Sequence, residues 1–263
     1  MLADALRAHE SLAVAFSGGV DSSLLLDVAH EVLGAGVLAL TAQSPSIPAR
    51  EIELAVEFCA QRGIRHLVVE THEFDIPGFD RNPQERCYLC KREILGCLLE
   101  AAAQEGVAAL AEGSNLDDDG DYRPGRRAVA ELQVASPLRD AGFTKQDVRS
   151  LARQRGLSVW DKPAFACLNT RFAFGDHITP AKLAMVDEAE EAVQAAGVQH
   201  VRVRIDGNGA RIEVAPEDIA RLAEPDVRGA IVERLKRLGF ANVSLDLQGY
   251  RTGSMNEQLK PSE

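Results

Sequence analysis

Nowhere in this chain does an apolar run reach the length of a membrane-spanning helix. The first ten residues, MLADALRAHE, lack the basic start and apolar middle of a secretion signal, so a cytoplasmic protein with no membrane partner is expected. Positive charge is scarce: 29 Lys and Arg stand against 40 Asp and Glu, a net charge of −11. That deficit argues against a nucleic-acid partner, which favours a basic surface. It leaves room for an anionic small molecule in a local basic pocket. Cysteine is sparse and odd in number, five in 263 residues, which fits a reducing compartment better than a disulfide framework. No repeat or low-complexity segment interrupts the sequence. What is present is 46% hydrophobic, enough for a sizeable core, over a length that suits one full domain and a smaller one.

The apolar pattern switches regularly between two periods. SLAVAF at 11–16, VLALTA at 37–42, RHLVVE at 65–70 and VAALAEG at 107–113 read as strands. Between them, Leu24, Leu25, Val28 and Val32 recur at helical spacing, as do Ile52, Ala55, Val56 and Cys59, and then Ile94, Leu95, Leu98, Leu99 and Ala102. Strands alternating with helices imply an α/β fold with a parallel sheet covered on both faces. Thr144, with Asp147 three residues on, marks another helix start. A domain boundary is expected near Asp176, dividing 1–175 from 176–263. Beyond it come an acidic helix over 180–196 and the alternating runs HVRVRID and ARIEVA, joined by the turn signal DGNG. A helix through Ile231 and Leu235 and a strand VSLDL complete a smaller α/β unit.

The first strand runs into SGGVDSS, Ser17–Ser23, where side chains almost vanish. A strand, a glycine-rich turn and a helix start aim backbone N–H groups at one point, where the helix dipole adds about half a positive charge. Gly18 and Gly19 let a phosphate approach the main chain, and Ser17, Ser22 and Ser23 add hydroxyl donors. The loop is not a Walker motif, since no Gly-Lys-Ser/Thr follows, and it lacks the G-x-G-x-x-G of dinucleotide sites. Asp21 is a hard oxygen ligand suited to Mg²⁺. EGSNLDDDGDYRPG, at 112–125, leaves the fourth strand at the edge where open α/β sheets bind ligands. Its Asp117, Asp118, Asp119 and Asp121 are candidate metal ligands; Arg123, Arg126 and Arg127 are candidate contacts for a phosphate or an acid.

Cys59 and Cys97 lie on apolar helix faces and read as core. In RCYLCK, Cys87, Cys90 and Lys91 share one face of a helix start, where basic neighbours and the dipole favour thiolate. That C-x-x-C is open to redox chemistry, half a zinc site or chance. Cys167, in WDKPAFACLNTR, lies in an irregular segment flanked by Lys162 and Arg171, two cations able to stabilise a thiolate.

SGGVDSS resembles the pyrophosphate loop of the N-type ATP pyrophosphatases (PP-loop, adenine nucleotide alpha hydrolase-like), a class that includes NAD synthetase, GMP synthetase and tRNA thiolases. With RCYLCK, EGSNLDDDGDYRPG, KPAFACLNTR, VRVR, ARIEV and LDLQGYRTGSMNE, the chain is similar from Ala13 to Asn256 to the LarE family of sulfur-inserting enzymes. The resemblance implies ATP and Mg²⁺ as cofactors and AMP-forming, pyrophosphate-releasing adenylation of a carboxylate. The substrate implied is a pyridinium dicarboxylate mononucleotide, with sulfur replacing a carboxylate oxygen on the way to the nickel-pincer cofactor of lactate racemase. It carries the nucleotide site to Ala15, Phe16, Ser17, Gly18, Gly19, Asp21, Ser22, Ser23, Thr41, Gly113 and Arg123. It carries the substrate site to Arg171, Glu190, Arg202, Arg204 and Arg211, and the chemistry to Cys167, Cys87, Cys90 and Lys91. A homo-oligomer is implied as well.

Two sulfur sources stay open. Cys167 can surrender its own sulfur and become dehydroalanine. Alternatively Cys87, Cys90 and Cys167 match the set that, in some members, holds an iron–sulfur cluster (4Fe-4S), with one iron left to carry sulfide; the presence of all three favours this cluster as the expected source. A tRNA thiolase and an amide-forming ligase of the NAD synthetase type are the alternative functions. The acidic charge speaks against the first, and the second has no need of three cysteines.

Overall fold

The computed structural model describes residues 2–120, 124–163 and 166–251. The chain divides into two compact units, one of Met1–Phe79 and Gln84–Phe165, the other of Asp80–Pro83 and Ala166–Glu263.

The first unit opens with α1 (Leu2–Leu6), β1 (Leu12–Ala15), α2 (Val20–Leu33), β2 (Val37–Gln43), α3 (Ala49–Arg62) and β3 (Arg65–Glu70). It continues through α4 (Arg86–Gln104), β4 (Leu110–Ala111), α5 (Gly125–Glu131), α6 (Pro137–Asp140) and α7 (Lys145–Gln154). The sheet order is β3-β2-β1-β4, and every pairing is parallel. Successive residues of β1 face opposite ways, as a pleat requires. Leu12 and Val14 pack with Leu24, Leu25, Ala55, Phe58 and Val148 of α2, α3 and α7. Ala13 packs with Leu95, Leu98, Ala102 and Val129 of α4 and α5. Both faces are therefore covered.

Differences from the sequence reading are local. β4 is two residues long rather than seven. The buried stripe of α3 is Ala55, Phe58 and Cys59, while Val56 is exposed, because the helix is rotated toward Phe58. Thr144 and Asp147 form a reciprocal capping box at the start of α7.

The second unit holds α8 (Pro180–Gln194), β5 (Val201–Asp206), β6 (Gly209–Val214), α9 (Ile219–Ala223), α10 (Pro225–Arg237) and β7 (Val243–Leu245). β5 and β6 are an antiparallel hairpin with Asp206 opposite Gly209, closed by Gly207 at φ +60°. β7 joins β6 in parallel. Val201, Val203, Ile212 and Val214 pack against Ala189, Val193, Ile231 and Leu235. Asn82, from the short early segment, donates to the carbonyls of Phe172 and Ala173 in this unit.

Candidate nucleotide and sulfur-transfer site

The order β3-β2-β1-β4 reverses direction at β1, so the crevice outside the carboxyl ends of β1 and β4 is the switch point where open α/β sheets bind ligands. The SGGVDSS loop leaves β1 there, and Glu112 and Gly113 leave β4. Gly18 takes φ +67° and Gly19 serves as the N-cap of α2, with no side chain capping the helix. The first-turn amides of α2 have no intrahelical acceptor. Ser22 Oγ donates to the Gly19 carbonyl and lies 3.2 Å from Ser17 Oγ. Ser23 is fully buried and its hydroxyl has no hydrogen-bond partner. A glycine cradle, an uncapped helix end and an orphaned hydroxyl together fit an anionic ligand.

The surrounding residues hold this loop in shape. A Cβ on Gly113 would stand 2.9 Å from the Ser22 nitrogen and 3.2 Å from Asp21 Cβ, so only glycine lets the end of β4 lie against α2. Thr41 Oγ1 donates to the Phe16 carbonyl at 2.7 Å, and His66 Nε2 lies 2.8 Å from the same oxygen. Since the one hydroxyl proton is committed to Phe16, His66 must donate through Nε2–H. Burial holds the His66 pKa below its usual range, so the ring is neutral near pH 7. Asp21 accepts from Asn115 Nδ2 at 2.9 Å on one oxygen and pairs with Lys145 on the other.

Lys91, expected beside the C-x-x-C thiols, sends its ammonium to Glu112 Oε2 at 2.8 Å. Glu112 also accepts from the Ser114 N–H and from Ser136 Oγ. Burial alone would raise the Glu112 pKa. The Lys91 charge outweighs it with these hydrogen bonds, so the carboxyl titrates below its ordinary range. Cys87 is exposed and Cys90 half-buried on the first turns of α4. Cys59 is buried, which pushes its thiol up to about 12; burial and then Glu93 push Cys97 up to about 11. In the acidic loop, Asp117 accepts from the Lys145 N–H and Asp118 from the Asn115 N–H. Arg127 stacks on Tyr88 with its guanidinium 3.4 Å from the ring centre. Asp121, Arg123 and the side chain of Asp119 lie outside the described residues.

Lys162 makes its contacts within the first unit. Its ammonium lies 2.7 Å from Glu51 and 3.1 Å from the Gly18 carbonyl, on the phosphate loop. Arg171 likewise supports the Cys167 segment through its backbone. Its Nη1 donates to the carbonyls of Ala166 at 2.7 Å and Cys167 at 3.1 Å, while Nε and Nη2 form a buried fork on Glu190. Glu190 accepts the Val203 N–H as well. Arg204 is held by Glu213 and the Thr170 carbonyl, and Arg211 by Glu213 at 3.3 Å. Arg202 lies over the Tyr250 ring; burial first, and then the Arg171 charge, pull its pKa below the usual guanidinium range.

Asp21 and the loop hydroxyls supply the oxygen donors that Mg²⁺ accompanying a nucleotide requires. Of the three thiols implied for an iron–sulfur cluster, Cys87 and Cys90 belong to one unit and Cys167 to the other. Among the described residues, no group of three or more His, Cys, Asp or Glu is gathered to hold a metal ion. Among those residues, too, no helix is long and apolar enough to cross a membrane.

Sheet order and loop together define an α/β protein of the pyrophosphate-loop class. No family model matches the chain. It is 42% identical over 94% of its length to an uncharacterized protein of Synechocystis sp., 92% of which is covered. It is 36% identical over its whole length to pyridinium-3,5-bisthiocarboxylic acid mononucleotide synthase of Lactiplantibacillus plantarum, 95% of which is covered. It is 32% identical over 57% of its length to the tRNA-specific 2-thiouridylase of Pelobacter propionicus, 51% of which is covered. The chain therefore belongs to the pyridinium-3,5-bisthiocarboxylic acid mononucleotide synthase family, the LarE family.

Proposed function

We propose that this protein is an ATP-dependent sulfur transferase that converts a carboxylate of a pyridinium dicarboxylate mononucleotide into a thiocarboxylate, for the nickel-pincer cofactor of lactate racemase. The observation that carries the reading is the full-length similarity to the Lactiplantibacillus synthase, which spans both units. The thiouridylase match covers little more than half of the chain and supports the shared nucleotide chemistry more than a tRNA substrate. In this reading residues 1–175 carry the nucleotide chemistry, and 176–263 serve substrate binding and a homo-oligomer in the cytoplasm.

A carboxylate is a poor electrophile because its charge repels a nucleophile and oxide is a poor leaving group. Mg²⁺, when bound with ATP, would neutralise phosphate charge beside Asp21. The amides after Phe16 and the hydroxyls of Ser17 and Ser22 hold the pyrophosphate portion in place. The substrate carboxylate oxygen attacks the α-phosphorus, pyrophosphate leaves, and an acyl-adenylate forms. The Cys167 thiolate then adds to the acyl carbon and AMP departs, leaving a thioester. Loss of the Cys167 α-proton and cleavage of its Cβ–S bond release the thiocarboxylate and leave dehydroalanine. Arg171 keeps the Cys167 backbone fixed, and the Arg202 charge favours the substrate phosphate.

Incubation with ATP, Mg²⁺ and substrate, followed by intact-mass analysis, tests this. Protein lighter by the elements of H₂S, with pyrophosphate and AMP formed in equal amount, is the expected result. Thiocarboxylate formed with protein mass unchanged would mean that a 4Fe-4S cluster on Cys87, Cys90 and Cys167, or another donor, supplies the sulfur. Absence of pyrophosphate would overturn the function.

A further inference from the structure

A loop that binds the doubly charged end of a nucleotide needs a cation, and none occurs between Ser17 and Leu33, which contain no Lys or Arg. The fold supplies one from far along the chain. Lys162 Nζ lies 3.1 Å from the Gly18 carbonyl, and a methyl on Gly18 would come within 3.9 Å of it. Only 18% of the lysine side chain is exposed, and its counter-charge is Glu51 at 2.7 Å, itself 13% exposed. The backbone at this point is clamped: Arg149 of α7 donates to the carbonyls of Trp160 at 2.8 Å and Lys162 at 2.9 Å. α7 is in turn anchored in the core through Val148 and Ala152, and its first residue, Lys145, pairs with Asp21.

We propose that Lys162 is the phosphate-binding lysine of this loop, paired with Glu51 at 2.7 Å and within reach of the outer phosphates of an ATP seated on the Gly18 backbone. Arg149 is the positioning residue that holds it there. This rests on the ATP reading above and adds the residue that discriminates ATP from AMP. Glu51 competes with phosphate for the ammonium, so the two neighbours of Lys162 have opposite effects on binding.

The test measures ATP, AMP and inorganic pyrophosphate binding by calorimetry with Mg²⁺ present. Lys162→Gln should weaken ATP and pyrophosphate at least tenfold and leave AMP within twofold, whereas Lys162→Arg, which keeps the charge, should recover part of the loss. Glu51→Gln should tighten ATP. A merely structural strut predicts the reverse pattern: equal losses of AMP and ATP, copied by Glu51→Gln. That pattern, or ATP binding unaltered in Lys162→Gln, overturns the assignment. Failure of the unaltered protein to bind ATP would overturn the nucleotide reading itself, and this inference with it.

Discussion

The Arg171–Glu190 fork offers a perturbation whose size follows from its surroundings. Both side chains are sealed off, at 0% and 2% exposure. Glu190 accepts from Arg171 Nε at 2.8 Å, from Nη2 at 2.9 Å and from the Val203 N–H at 2.9 Å. Glu190→Ala removes the carboxylate and leaves a buried guanidinium without its counter-charge and a strand amide without an acceptor. Breaking one side of a buried pair costs about 3–5 kcal/mol. With a urea m value of about 2 kcal/mol/M, the midpoint of unfolding should fall by about 2 M, read by far-ultraviolet circular dichroism. The double variant Arg171→Met with Glu190→Leu removes both charges and should recover most of that loss, since apolar isosteres of a buried pair are often neutral in stability. It should not recover sulfur transfer, because Arg171 also holds the carbonyls of Ala166 and Cys167. A midpoint unchanged in Glu190→Ala, or full activity in the double variant, would refute the reasoning.

Three further outcomes follow from the same geometry. Gly113→Ala forces a methyl to within 2.9 Å of the Ser22 nitrogen; overpacking of this kind costs about 1–3 kcal/mol, and nucleotide affinity measured by calorimetry should fall with it. Glu112 titrates below its ordinary range, so its ion pair with Lys91 stabilises the fold fully above the unfolded carboxyl pKa of 4.5, and that stability is lost as pH falls through the lower folded value. Melting temperature should therefore drop more steeply below pH 4.5 in the native protein than in Glu112→Gln. At pH 8, iodoacetamide followed by peptide mass mapping should modify exposed Cys87 well before Cys59, whose buried thiol titrates at about 12.

What sequence alone determined is what depends on neighbours along the chain. The alternation of strand and helix, the capping box at Thr144 and Asp147, the DGNG hairpin and the SGGVDSS turn are all set within a few residues, and the fold contains each of them. Periodicity does not specify exact rotation or length, which is why Val56 and the span of β4 differ from their expected places. Tertiary structure decided the electrostatics of the candidate site. Lys162 reaches Gly18 and Glu51, Lys145 reaches Asp21, and Lys91 reaches Glu112, over separations of 144, 111, 124 and 21 residues. A charge buried by folding must find a counter-charge, and the fold selects it by position in space. No pattern of adjacent residues carries that choice: Lys162 stands five residues from Cys167 in sequence, yet its ammonium belongs to the phosphate loop.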